Sequence, residues 1–253
     1  VSLPVFIDSA LSAAPPVGTT LELRGQEATH AGTVMRLGQG DQLRLSNGRG
    51  LVLRCTIAAP PTKQRVQLSV SEVEETTTAQ PRVSIVQALP KSERAELAVD
   101  LATQGGVDSI IPWQASRCIA KWPEHKRAKL HEKWVTAAIA AAKQSRRAFV
   151  PEVEQLHQTA DIVQRVRAVI AAGGRAYVLH EDARTSLATA EVDVNELVLI
   201  IGPEGGISDH ECAEFHAAGA ESVLLGPEVL RTASAGLVAL AAIGSRTSRW
   251  HVR

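Results

Sequence analysis

The sequence predicts an α/β protein in which a small antiparallel β-barrel precedes a larger domain built on a parallel sheet. Three observations point there. Residues 197–201, Leu-Val-Leu-Ile-Ile, are an unbroken apolar run of strand length, as in strands covered on both faces. Apolar and polar residues alternate at 42–45 and 66–70, with Asn47-Gly48 between strand candidates, the pattern of a hairpin in a half-buried sheet. Between these patterns lies 72–81, Glu-Val-Glu-Glu-Thr-Thr-Thr-Ala-Gln-Pro, which is polar and closed by proline. The expected division is a barrel over 1–73, a linker over 74–81 and an α/β domain over 82–253.

In the first part, strands are expected at 20–24, within 41–50, at 51–58 and at 66–73, with one helical piece over 27–37. Beyond the linker, strands alternate with helices. Strand 83–89 leads to a helix at about 92–103, then strand 109–112, a long helix at about 124–142 and another near 160–172. Strands at 176–180 and 196–201 follow, then a helix from about Ser208, a strand at 222–226 and an Ala-rich helix to about 245. This alternation predicts a parallel sheet with helices on its faces.

With 45% hydrophobic and 21% charged residues, the chain can bury a core, which excludes disorder. Three scattered cysteines, Cys55, Cys118 and Cys212, form no CxxC pair, so neither a disulfide framework nor a zinc cluster is expected and a reducing cytosol fits. No metal is implied, because His30 has no second ligand at suitable spacing. The first residues lack the basic segment of a secretory signal, and no stretch approaches membrane-spanning length. One Tyr and three Phe are too few for an aromatic RNA-stacking platform. Lys plus Arg equals Asp plus Glu at 27 each, and a net charge of zero by itself counts against a nucleic-acid partner.

The sharpest local feature is the end of the 197–201 strand, where Gly202-Pro203-Glu204-Gly205-Gly206 leads to Ser208, whose partner Glu211 completes a capping box for the next helix. Glycines there let backbone amides approach a ligand at the carboxyl end of a parallel strand, or simply make a tight turn. The spacing is neither GxGxxG nor GxxxxGK[ST], which disfavours dinucleotide and P-loop sites. A second strand ends similarly at Leu225-Gly226-Pro227-Glu228-Val229-Leu230, followed by Arg231, Thr232, Ala233 and Ser234. Two such turns on neighbouring strands make one crevice, with Arg231 as its fixed positive charge.

These two segments resemble the motifs of the SPOUT methyltransferases, and specifically the RsmE family of 16S ribosomal RNA uridine-N3 methyltransferases. The resemblance covers nearly the whole chain. His30, Val34, Met35, Arg36 and Gly38 match an H…V-[LM]-R-x-G pattern, and Lys91, Glu93, Arg94, Gly106, Val107, Pro112, Ser116, Arg117, Trp134, Gln144, Arg147 and Pro151 fall in the family's order. The chain departs from the family where Ala233 stands for a glutamate after the Leu-Arg pair, where Gln104-Gly105-Gly106 replaces Glu-Leu-Gly, and where Lys143 replaces a frequent glutamate.

The resemblance implies a PUA-like barrel joined to a SPOUT α/β domain with a deep trefoil knot, a homodimer, and S-adenosylmethionine as cofactor. By position, Leu179, His180, Gly202, Pro203, Glu204, Gly205, Gly206, Leu225, Gly226, Pro227, Val229, Leu230 and Thr232 would hold it. The implied target is N3 of uridine 1498 in the RNA's own numbering, on 16S RNA or the assembled small subunit. Uridine N3 carries a proton, so transfer requires stabilising the anion, a role for Arg231. Glu204 and His180 are the base candidates, read at least as well as a turn carboxylate and an ordinary surface histidine.

Local charge reverses the first impression of neutrality. Between Arg117 and Arg147 nine basic residues face two acidic ones, a local charge of +7. Lys126, Lys129 and Lys133 share a broad helix face, with Arg117, Lys121, Arg146 and Arg147 flanking it. With Arg24, His30 and Arg36 in the barrel and Lys91 and Arg94 after the linker, these form the expected RNA-binding set. Two rival readings are another SPOUT enzyme acting on a ribose hydroxyl or a transfer RNA, and a non-catalytic RNA-binding assembly factor. Ala233, standing where the family has a glutamate, motivates the second.

Overall fold

The structure, a computed structural model, describes residues 3–250, with Ser92 and Glu93 described by backbone alone. The outermost residues of the expected domains, 1–2 and 251–253, and the Glu93 side chain of the expected motif lie outside the described residues. The chain forms two compact units, Val1–Thr78 with Ala142–Val150, and Ala79–Ala141 with Pro151–Arg253.

The first unit contains β1 (Val5–Ile7), β2 (Thr20–Arg24), α1 (Gly25–Thr29), a π turn (His30–Val34), β3 (Gln42–Ser46), β4 (Leu51–Ile57) and β5 (Arg65–Glu75). They form a five-stranded sheet in the order β1-β3-β4-β5-β2. The β1–β3 pair is parallel and the others antiparallel. Alternation buries one face: Leu43 and Leu45 of β3, Leu53 and Cys55 of β4, and Val66, Leu68 and Val70 of β5 enclose Phe6 and Leu23. Burial pushes the Cys55 thiol up to about 11, so it acts as a small apolar filler.

Two sequence expectations change here. Glu74 and Glu75 are strand residues rather than linker, because β4 begins at Leu51 and its ladder carries β5 through Glu75. Segment 142–150, expected in the α/β domain, instead closes against the β3–β4 hairpin. Val150 N–H donates to the Gly48 carbonyl at 2.9 Å, and Gly50 N–H to the Ala148 carbonyl at 3.0 Å. Gly50 adopts φ +104, and a Cβ there would stand 2.6 Å from the Phe149 ring and 2.5 Å from the Thr76 carbonyl. Only glycine fits.

The second unit runs β6 (Arg82–Ala88), α2 (Ser92–Gln104), β7 (Ser109–Trp113), α3 (Glu124–Gln144), β8 (Glu152–Val153), α4 (Thr159–Ala171), β9 (Arg175–Leu179), β10 (Thr185–Ser186), β11 (Glu196–Ile201), α5 (Asp209–Ala217), β12 (Glu221–Leu224) and α6 (Thr232–Gly244). The last turn of α3, from Ala142, falls in the first unit. The seven strands are ordered β10-β12-β9-β11-β6-β7-β8, and every pair is parallel. The apolar run of β11 is buried throughout, between β6 and β9. Helices α2 and α6 pack closely because Gly105 leaves room: a Cβ there would lie 2.9 Å from Leu240 Cδ1. The glycine that departs from the family's leucine therefore accommodates α6. No helix among the described residues is long and apolar enough to cross a membrane.

Candidate active site at the carboxyl ends of the parallel strands

The order β12-β9-β11 places three consecutive carboxyl ends side by side, so the loops that follow them emerge together. This edge of a parallel sheet is where α/β proteins place ligands. The structure therefore brings together every residue the sequence nominated for cofactor binding: Leu179 and His180 after β9, the Gly202–Gly206 turn after β11, and the 225–232 segment after β12.

Local chemistry shapes each loop. A Cβ on Gly202 would approach Ile207 Cγ1 to 2.7 Å, and Gly206 adopts φ +73, so the turn depends on glycine at both positions. Thr232, the first residue of α6, donates its hydroxyl hydrogen to the Gly202 carbonyl, tying the two Gly-Pro loops together. The backbone N–H groups of Gly226, Val229 and Leu230 make no hydrogen bond among the described residues. Leu225 and Leu230 of the same loop are half-buried, as is Leu179 at the end of β9. Unpaired amides next to apolar side chains suit a ligand carrying both an apolar body and hydrogen-bonding edges.

Arg231 precedes α6 with extended backbone, is exposed, and its guanidinium has no hydrogen bond or ion pair among the described residues. The two base candidates are both engaged. Glu204 Oε1 accepts the Lys91 N–H at 3.1 Å, at the start of α2. His180 Nδ1 accepts the Asp182 N–H at 3.2 Å, which leaves its ring hydrogen on Nε2.

One carboxylate organises the surroundings, and its role beyond the capping box was not legible in the sequence. Glu211, 3% exposed, accepts from Ser116 N (2.8 Å) and Oγ (2.7 Å), Ser208 N (3.2 Å) and Oγ (2.7 Å), and Thr159 Oγ1 (3.1 Å). Burial pushes its pKa up, but the hydrogen bonds from Ser208 and Ser116 outweigh that and leave it below the usual value. The capping box with Ser208 is visible in the sequence; the bonds from Ser116 and Thr159 cross long stretches of chain and leave no local signal. Through Ser116 this network places Arg117, whose guanidinium donates to the carbonyls of Gly205 (3.4 Å) and Ile207 (3.3 Å).

The expected RNA set divides between the units. Lys91 and Arg117 lie at the carboxyl-edge loops. Lys126 and Lys129 are exposed on α3, Lys121 is exposed before it, and Arg94 is half-buried on α2. In the first unit, Arg24 pairs with Glu22 at 2.5 Å, His30 is half-buried, Arg36 and Arg146 are exposed, and Arg147 is half-buried. Both Arg36 and Arg146 hold left-handed backbone, at φ +55 and +56. Lys143, the departure from the family's glutamate, pairs with Glu27 at 2.6 Å in a half-buried ion pair.

Comparison with known proteins agrees with this geometry. Residues 77–244 match the RNA methyltransferase domain family, and residues 23–71 match the RNA methyltransferase PUA domain family. The Ribosomal RNA small subunit methyltransferase E of Mycobacterium tuberculosis is 43% identical over 237 residues, covering 93% of this chain and 90% of the relative. That of Bacillus subtilis is 30% identical, covering 90% and 91%. A Legionella pneumophila methyltransferase solved with the bound cofactor SAM superposes with a TM-score of 0.85 at 30% identity, covering 97% of this chain and 98% of that one. The Ribosomal RNA small subunit methyltransferase E of Neisseria gonorrhoeae, bound to S-adenosyl methionine, gives 0.86 at 23% identity, a likeness of fold, covering 97% and 98%. Fold, loop motifs and both domain matches coincide: this chain is a PUA-SPOUT protein and belongs to the ribosomal RNA small subunit methyltransferase E family.

Proposed function

We propose that the protein transfers a methyl group from S-adenosylmethionine to N3 of a uridine in 16S ribosomal RNA, uridine 1498 in the RNA's numbering. The observation that carries the reading is the pairing of two glycine-bearing loops, one with unpartnered backbone amides, and an unpaired Arg231 at one sheet edge. The amides of Gly226, Val229 and Leu230, with Leu179, Leu225 and the Gly202–Gly206 turn, fit the adenosine and amino-acid portions of the cofactor. When bound, the cofactor supplies an electrophilic sulfonium methyl. The chain's own task is to hold the uracil ring and stabilise the negative charge on its oxygens once N3 loses its proton. Arg231 does this as an oxyanion-type donor, with no competing partner among the described residues. Glu204, held by the Lys91 amide, orders the loop and presents its second oxygen as the proton acceptor.

The lysines and arginines of α3 and its flanks, with those of the first unit, hold RNA phosphates. We further propose a trefoil-knotted thread for the SPOUT domain, a cytosolic location and a homodimer. Exposed Leu97 on α2 and Val238 on α6 supply apolar surface for a second copy on packed neighbouring helices. Sedimentation would report the dimer. Mass mapping of 16S RNA from cells lacking the protein tests the substrate: loss of N3-methyluridine at one position is expected, and its persistence overturns the reading. Calorimetry with S-adenosylmethionine separates the enzyme from a non-catalytic assembly factor, which would not bind it.

A further inference from the structure

We propose that the first unit carries a nucleobase-binding pocket formed by α1, the π turn and the 58–64 loop, which takes one unpaired base of the RNA and places its phosphate against Arg36. This rests on the RNA-substrate reading above and adds a defined subsite to it. The pocket is an open recess of about 450 Å³ lined by Gly25, Gln26, Thr29, His30, Val34 and Gln64, and all of these but the half-buried His30 are exposed, as a site for one base presented from a larger RNA requires. All six residues fall within the match to the RNA methyltransferase PUA domain.

Three features of this pocket point to a base. Its walls are largely apolar, and Val34 is 67% exposed, a flat aliphatic surface for a ring to lie on. Two of its polar side chains are also unpartnered: the carboxamides of Gln26 and Gln64 make no hydrogen bond among the described residues. His30 Nδ1 faces the Lys143 ammonium at 3.5 Å and so accepts, which leaves Nε2–H as a donor without a partner among the described residues. Carboxamides and an imidazole N–H match the donor and acceptor edges of a base. The pocket is preformed as well. Thr29 Oγ1 donates to the Lys63 carbonyl at 2.7 Å, and a Cβ on Gly32 would come within 3.1 Å of Pro61, so helix and loop are locked together. The π turn that ends the helix is a feature concentrated at functional sites. Two residues past Val34, Arg36 sits at φ +55, with its exposed guanidinium unpaired among the described residues. A left-handed arginine costs backbone energy, which fits a residue held for a ligand.

The test uses the full-length protein and small ribosomal subunits from cells lacking it. In the Gln26→Ala/Gln64→Ala double variant, KM for the subunit should rise about tenfold, while S-adenosylmethionine affinity and kcat at saturating subunit stay near wild type. Arg36→Gln should lower the dependence of log affinity on log salt by about one. Photo-cross-linking with 4-thiouridine in the RNA should label the 25–34 peptide. Unchanged KM in the double variant overturns the pocket, as do cross-links that avoid this peptide or that join it to a ribosomal protein. If wild-type protein transfers no methyl to RNA, the function reading fails and the pocket with it. If wild type methylates and the variants match it, the pocket alone fails.

Discussion

The two ends of the parallel sheet in the second unit are built from the same strands and differ in how their polar groups are satisfied. At the amino ends, Arg82, Glu152, Glu154, Arg165 and Glu196 surround an open recess of about 500 Å³. There the charges satisfy one another: Arg165 reaches Glu154 at 3.2 Å and Glu196 at 3.7 Å, and Arg82 reaches Glu152 at 3.9 Å. At the carboxyl ends the donors stand open, with amides of the 226–230 loop and the Arg231 guanidinium unpaired among the described residues. The proposed site at the carboxyl edge rests on this difference in unspent hydrogen-bonding capacity.

That contrast yields four predictions. Arg231→Ala removes the open cation and should lower methyl transfer by about 10²–10³-fold, with S-adenosylmethionine affinity nearly unchanged by calorimetry. Unchanged turnover would mean that the carboxyl edge is no more active than the amino edge. Gly202→Val forces a side chain into Ile207 and should weaken cofactor binding by roughly tenfold or more, a cost of about 1–3 kcal/mol in loop geometry. The same calorimetry reads it.

Glu211→Gln keeps the shape and removes the charge of a buried acceptor, at a cost of about 1–3 kcal/mol near neutral pH. The folded pKa of Glu211 lies below its ordinary value. Its stabilisation is therefore complete above the unfolded glutamate value and fades as pH falls through the depressed folded one. Thermal melts of wild type and variant should converge in acid; a gap that stays constant at every pH would remove the charge from the explanation. The smallest effect belongs to the amino edge: Arg165→Ala should leave turnover unchanged and cost about 0–1 kcal/mol, because the pairs it breaks are partly solvated. A large loss of activity there would erase the contrast.

Much of this arrangement was legible in the order of residues. Strand β11 declared itself because both of its faces are covered, so nothing polar interrupts 197–201. The turn at 202–206 and the Ser208–Glu211 capping box followed from local rules that need only neighbouring residues. What escaped depends on contacts distant in sequence. Strand β1 has three residues and pairs in parallel with β3, too short to show a period. The π turn at His30 continues α1 with the same apolar spacing, so a single helix was expected over 27–37. Segment 142–150 was expected in the α/β domain, after the long helix at about 124–142. Its assignment to the barrel comes from Phe149 over Gly50, which no spacing reveals. Ser116 and Thr159 are ordinary hydroxyl residues until Glu211 lies between them.

The return of 142–150 to the first unit also bears on the order in which the chain acquires its structure. As synthesis proceeds from the amino terminus, residues up to Thr78 emerge together, yet the carbonyl of Ala148 and the ring of Phe149 that complete the β3–β4 hairpin come some seventy residues later. Until then Gly50 N–H lacks its acceptor and one side of the hairpin stays uncovered. The amino-terminal unit is thus discontinuous in the gene although compact in space, and its closure waits on β6, β7 and α3 being made. A fragment cut at Thr78 would expose that seam permanently, so limited proteolysis of nascent or truncated chains should find the hairpin open and the full chain resistant there.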